Sequence, residues 1–222
     1  MRKRLRPQLL SIAAAAIAAL TACDRAPFDS AAAQSAASSG HAHSIADALK
    51  NPDAWETIAG RWSAETRGDR QVLLQSATDQ KYPVALLRGP TFSDVDVTVQ
   101  FRPLSGKIDA SGGIVFRARD GANYYVVRAN SLEDNFRLYA TVAGNRKQIA
   151  TTRIDAPAIG QWHTLRVVAA GDHIQAYLDG KLLLDHHDSR FKSGRVGLWT
   201  KADAVTEFAH FSVTGVVDKA SK

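Results

Sequence analysis

With 222 residues, 45% of them hydrophobic and 23% charged, the chain is long enough to bury a core of its own and has the composition of an ordinary globular protein. Its formal charge of +6 does not point to a nucleic-acid partner: Arg2, Lys3, Arg4 and Arg6 sit together at the extreme N-terminus, and without them the remainder carries only +2. The single cysteine, Cys23, excludes an intrachain disulfide framework and any multi-cysteine zinc site.

The basic residues 2–6 are followed by an apolar and small run, Leu9 to Leu20, interrupted only by Ser11. This is the charged and then hydrophobic pattern of a secretory signal, and the run is shorter than the roughly 20 residues a membrane-spanning helix needs. It ends in Leu20, Thr21, Ala22 and Cys23, which resembles a bacterial lipobox. The resemblance implies cleavage before Cys23, a diacylglyceryl group on its thiol and a protein exported to the periplasmic face of a bacterial membrane, held by lipid alone. Asp24 resembles an inner-membrane retention signal. Residues 23–44 are rich in Ala and Ser and read as a flexible tether, with His41 and His43 solvated rather than metal-binding. The boundaries expected are thus signal 1–22, tether 23–44, folded domain 45–217 and tail 218–222.

The domain reads as almost all strand. A short helix near Ser44 to Lys50, with Ser44 as its cap, is the one exception. Val95, Val97, Val99 and Phe101 alternate with Asp94, Asp96, Thr98 and Gln100, the period of a half-buried strand. A meander follows over 111–119, 124–131 and 136–142. Its apolar faces are Ile114, Phe116 and Ala118; Tyr125, Val127 and Ala129; and Phe136, Leu138, Ala140 and Val142. The joints at 120–123 and 132–135 are rich in turn formers. Leu165, Val167 and Ala169 lead through Gly171-Asp172 to Ile174, Ala176 and Leu178, and Asp179-Gly180 is a strong hairpin signal. Val196 to Val213 is again strand-like. Many short strands with one polar and one apolar face predict an all-β, two-sheet antiparallel sandwich, with a barrel as the alternative.

Residues 160–184, "GQWHTLRVVAAGDHIQAYLDGKLLL", resemble the Gly-x-Trp-His, strand, turn, strand, Asp-Gly hairpin of concanavalin A-like and laminin-G-like domains. With "SGGIVFRARD" at 111–120, "GRVGLWTKADAVTEFAHFSV" at 194–213 and "PDAWETIAGRWSAE" at 52–65, they resemble the 3-keto-disaccharide hydrolase domain family. That likeness implies a jelly roll of the lectin and glucanase type and, as one activity, hydrolysis of 3-keto-disaccharides. The architecture hosts lectins, glycanases and adhesion modules alike. The Glu-x-Asp-x-x-Glu strand motif of family-16 glycoside hydrolases is missing: the glutamates are Glu56, Glu65, Glu133 and Glu207, none with the required neighbours. Asp94 and Asp96 are ~7 Å apart on one strand face, as any such pair would be, and read as solvated. Asp185, His186, His187 and Asp188 read as a polar loop. Adjacent strand residues point to opposite faces, so at most two of the four can meet one metal. No metal and no cofactor is expected.

The other face of the meander is unusual. Four-residue joints would put Arg119 opposite Tyr124, Val115 opposite Arg128, Asn130 opposite Arg137 and Arg128 opposite Tyr139. Arg117, Arg119, Tyr124, Arg128, Asn130, Arg137 and Tyr139 would then share one surface. Clustered arginines repel one another unless anions or hydrogen-bonding groups lie over them, and Glu133 and Asp134 supply part of that. If the terminal strand runs on, Trp199, Lys201 and Asp203 fall on one face as well. Such a surface is either a salt-bridged, solvated face or the floor of a groove for a polyhydroxylated or carboxylated ligand. The ligand set expected is Arg117, Arg128, Asn130 and Arg137 beneath, with Tyr139, Trp199, Lys201 and Asp203 beside them. A carbohydrate-binding module ranks first, a sugar hydrolase second and a structural lipoprotein third, because no catalytic constellation is visible.

Overall fold

The computed structural model describes residues 42–218. Cys23, the signal, the tether up to His41 and the tail beyond Asp218 lie outside the described residues. Among those described, the strands are β1 (Ala42–Ile45), β2 (Trp55–Ala59), β3 (Trp62–Arg67), β4 (Arg70–Gln75), β5 (Val84–Leu87), β6 (Phe92–Ser105), β7 (Ser111–Asp120), β8 (Asn123–Asn130), β9 (Asn135–Val142), β10 (Asn145–Arg153), β11 (His163–Ala170), β12 (His173–Leu178), β13 (Lys181–His187), β14 (Arg195–Trp199) and β15 (Val205–Val217). They form two antiparallel sheets. One has the order β13-β12-β11-β6-β15-β4-β3, with β1 added on β15; the other has the order β10-β9-β8-β7-β14-β5-β2. This is the two-sheet antiparallel sandwich that the alternation predicts, with the jelly-roll architecture that the resemblance implies.

The core lies between the sheets. Val95, Val97, Val99 and Phe101 of β6, with Leu165 and Val167 of β11, face Ile114 and Phe116 of β7, Tyr125 and Val127 of β8, and Phe136 and Leu138 of β9. All belong to the faces expected to be inward. Two assignments fail. Val142 is exposed at the end of β9, and Ala118 joins a second apolar cluster on the far side of the seven-stranded sheet.

The expected helix over Ser44–Lys50 is not there. Ala42 to Ile45 pair with Val216 to Val213 of β15, and Asp47 takes φ 47°, which ends the strand. Single 3-10 turns at Ala48–Lys50 and Pro52–Ala54 follow. The backbone groups β15 offers at that point satisfy β1, while a helix this short has little to stabilise it. The strand expected over 196–213 is also broken: β14 stops at Trp199, and Ala202 turns the chain at φ 52° before β15 begins. Asp185 to His187 lie in β13 rather than in a loop.

Outside a bulge at Arg117–Ala118 the meander keeps its faces but not its register. At the turn Asp120 pairs with Asn123, in the expected phase. Between there and the Phe116–Tyr125 pair, β7 carries two more residues than β8. Arg117, at φ 50°, sits in this bulge. Beyond it the pairing is shifted by two, so Gly113 rather than Val115 faces Arg128. A shift of two preserves which side of the sheet each residue occupies, whereas a shift of one would invert it. Between β8 and β9 the loop falls one residue earlier than expected, and Arg128 faces Arg137.

Candidate functional site

The outer face of the seven-stranded sheet is built in rows. One row places Trp199 of β14 against Gly113 of β7, then Arg128 of β8 and Arg137 of β9. The next sets Val115, Val126 and Tyr139 side by side, and a third pairs Tyr124 with Thr141 and Thr141 with Arg146 of β10. Val84, Leu86, Val115, Ala118, Tyr124, Val126, Tyr139 and Trp199 form a continuous apolar floor. Trp199 has no exposed surface, and Tyr82 stacks on it with ring centroids 5.7 Å apart. Over this floor lies the Arg146 guanidinium, 4.2 Å from the Tyr139 ring centroid, 4.6 Å from that of Tyr82 and 5.1 Å from that of Trp199. A cation over three aromatic faces is held by their quadrupoles.

Beside it, Arg128 is buried, with 2% exposed. Its Nη2 donates to Glu133 Oε2 at 2.6 Å and to the Tyr139 hydroxyl at 3.4 Å. Arg137 Nη1 donates to the same hydroxyl at 3.3 Å and lies 3.3 Å from Glu133 Oε2. Asn135 Nδ2 adds a third donor to that carboxylate at 3.0 Å. Burial raises the Glu133 pKa, but its bonds to Arg128 and Asn135 outweigh this and hold it below the ordinary carboxylate range. Burial likewise pushes the Tyr139 phenol up. The charge of Arg128, the bonds from Arg137 and Arg128 and the charge of Arg146 bring it net below its usual value. Arg137 also borders a shallow depression of about 430 Å³, with Asp134, Asn135, Thr151, Thr152 and Arg153.

Of the residues expected at the site, Arg128, Arg137, Tyr139 and Trp199 do come together. Asn130 lies at the end of the same face but is fully buried: its Oδ1 accepts from the amides of Ala110 and Leu132, and its Nδ2 donates to Asp109 Oδ2 at 3.1 Å. Lys201 Nζ donates to that same oxygen at 3.2 Å, so Lys201 reaches the face although β14 has ended. Asp203 does not reach it: its carboxylate accepts the backbone amides of Lys107, Ile108 and Asp109, a clamp on the loop before β7. Arg117 does not reach it either. Its bulge turns the side chain away, where Nε donates to Ser93 O at 2.9 Å and Nη1 to Phe191 O at 3.3 Å. Burial lowers the pKa of that guanidinium, and Asp94, 3.8 Å away, only partly offsets this. Arg119 lies over the Phe191 ring instead.

Asp94 and Asp96 belong to the other sheet and have structural partners. Asp96 accepts two bonds from Arg166, at 2.9 and 2.6 Å, and Asp94 accepts the Gly171 amide. Sequence reasoning missed Arg146, Tyr82 and Asp109. The alternation of "NRKQ" at 145–148 was there to be read for Arg146, whereas nothing in the local pattern marks Tyr82 or Asp109.

Among the described residues, several buried polar atoms on this one face have no hydrogen-bond partner: Arg128 Nε, Arg137 Nε, Arg146 Nη1, Asp109 Oδ1 and Ser111 Oγ. Each such group costs about 1–3 kcal/mol, so their concentration calls for a role. Forked donors around an aromatic floor suit ligands with many hydroxyl groups.

A levanase of Bacillus subtilis (strain 168) is 26% identical over 153 residues, covering 68% of this chain and 21% of the levanase. The chain therefore spans about a fifth of the length of that curated relative. Among solved structures, the carbohydrate-binding module CBM66 from Bacillus subtilis superposes with a TM-score of 0.63 at 24% identity, covering 71% of this chain and 93% of the module. A Bacillus subtilis protein with a galectin-like fold gives 0.58 at 14% identity, covering 81% of this chain and 100% of that one. The β-glucanase of Bacillus licheniformis gives 0.52 at 12% identity, covering 78% and 97%. These likenesses identify the fold as the jelly roll of lectins and glucanases. A match to the 3-keto-alpha-glucoside-1,2-lyase-like domain extends over residues 44–214, and the chain belongs to that family.

Proposed function

We propose that the chain is a lipid-anchored protein of the bacterial cell envelope whose sandwich binds carbohydrate on the outer face of the seven-stranded sheet. The observation that carries this reading is the gathering of three guanidinium groups, Arg128, Arg137 and Arg146, on the Tyr139–Trp199 floor, with Arg137 half-exposed at its edge. Levan, the polymer named in the levanase relative, is the first ligand to try. Arg137 is the cleanest probe, because its side chain is 31% exposed and its loss leaves the core intact. Arg137→Ala is expected to weaken levan retention in affinity electrophoresis about tenfold or more, with unfolding shifted by no more than about 1 kcal/mol. Unchanged retention would place the binding residues elsewhere.

A second reading, a lyase acting on keto-sugars, is favoured by one observation: the Tyr139 phenol, made more acidic by three arginines. As phenolate it would take the proton next to a substrate carbonyl. The C–H electron pair would first form an enolate, its oxygen held by Arg128 and Arg137. Collapse of the enolate would restore the carbonyl, form the new C=C bond and expel the group on the far carbon, which would leave as an alcohol by taking the proton from Tyr139 or from water. Turnover of a 3-keto-α-glucoside that Tyr139→Phe abolishes selects this reading, and binding without turnover selects the first.

Anchoring through Cys23 rests on the lipobox-like end of the apolar run. Two or more acyl chains hold far more firmly than one. Cys23→Ala is expected to move the protein from the membrane to the soluble fraction, or to leave it unprocessed. Unchanged fractionation and mass would exclude the anchor.

A further inference from the structure

The edge hairpin of the eight-stranded sheet, β12 and β13, carries a second cluster. Its register sets His173 directly opposite His187 and Gln175 opposite Asp185. Ile174, Ala176 and Leu184 point into the core, so His173, Asp185 and His187 project together from the outer side. Strand alternation allows the Asp185–Asp188 run only two ligands on one face, and the neighbouring strand supplies the third. One ligand atom from each of the three residues lies within 4.8 Å of the other two. His173 Nε2 is 2.7 Å from Asp185 Oδ1, and the two imidazoles are stacked, 4.7 Å between centroids with planes at 9°. Asp172 completes the group: its Oδ1 is 3.1 Å from His187 Nδ1. A carboxylate on Nδ1 keeps the proton there and leaves the Nε2 lone pair of His187 for a metal. The rest of the motif goes elsewhere. His186 faces the opposite side of the strand, and Asp188 accepts from the Tyr125 hydroxyl and from Arg190.

We infer that His173, Asp185 and His187 form a surface site for a late first-row divalent ion such as Zn²⁺, with Asp172 as the carboxylate that positions His187. Two imidazoles and one carboxylate with a fourth position open to water match what Zn²⁺ takes, whereas Mg²⁺ and Ca²⁺ demand six or more oxygens. An ion held there ties the edge strand β13 to β12. All three side chains are partly or largely exposed, so an ion reaches them directly from solvent.

The test is a Zn²⁺ titration of the full chain by calorimetry. It runs beside His173→Ala, His187→Ala and Asp172→Asn, and beside a control in which Cys23, His41 and His43 are replaced. Circular dichroism checks that each variant folds. The wild type and the control are expected to bind one equivalent with micromolar affinity. Either histidine variant is expected to lose about 100-fold or more in affinity, and Asp172→Asn about tenfold. Three results would each overturn the site: no wild-type binding tighter than about 100 μM, retention of tight binding in either histidine variant, or its disappearance in the control.

Discussion

Phe101→Ala is expected to destabilise the sandwich by about 3–5 kcal/mol and, for a domain of this size, to lower its melting temperature by roughly 10 °C. Phe101 has no exposed surface and sits on β6, between β11 and β15 in the eight-stranded sheet. Its ring reaches the facing sheet at Gly112, where a Cβ would stand 2.4 Å from the ring. The glycine is therefore the hole into which the phenylalanine fits. Gly112→Ala should cost about 1–3 kcal/mol by overpacking, and should cost less on a Phe101→Leu background, because the two residues share one space. Denaturant unfolding of the four proteins checks this. Simple additivity would mean that the sheets do not meet at this point.

Arg128→Ala is expected to reduce levan binding by about 100-fold, an order of magnitude more than Arg137→Ala, and also to destabilise the fold by about 1–3 kcal/mol. Arg128 is buried and Arg137 is half-exposed. Removing Arg128 takes from Glu133 its shortest partner and from Tyr139 a donor, and it opens the floor beneath any ligand. Arg128→Lys retains the charge without the fork, so stability should recover more than affinity does. Binding isotherms beside thermal melts separate the two effects. Wild-type affinity in Arg128→Ala would remove this face from the account.

The strands from β6 to β9, and β11 with β12, were legible because each has one face in the core and one outside, which writes a period of two into the sequence. β1 was not, since its four residues gain their structure from β15, far along the chain. Register was legible only as far as the first bulge. The two extra residues around Arg117 moved the β7–β8 pairing by two, and the earlier loop moved the β8–β9 pairing by two, so Arg128 and Arg137 stayed on the side expected of them. Arg117 itself was lost because a left-handed backbone angle at a non-glycine residue leaves no trace in the alternation pattern. Asp203 and Asn130 read as ligand groups because an exposed carboxylate and an amide serving as a loop clamp have the same composition as a binding residue. Only the amides they accept tell the two apart. The His173–Asp185–His187 cluster was invisible for a related reason: its third member comes from a neighbouring strand.

Ligand is expected to lie across β7 to β10 on the outer side of the seven-stranded sheet. The most direct measurement is chemical-shift mapping of the isotope-labelled protein during titration with short levan oligosaccharides. The side-chain Nε–H signals of Arg128, Arg137 and Arg146 and the indole signal of Trp199 are expected to move together and to saturate at one affinity. Shifts confined to the outer face of the eight-stranded sheet, around Arg166, Gln175 and Tyr177, would contradict it.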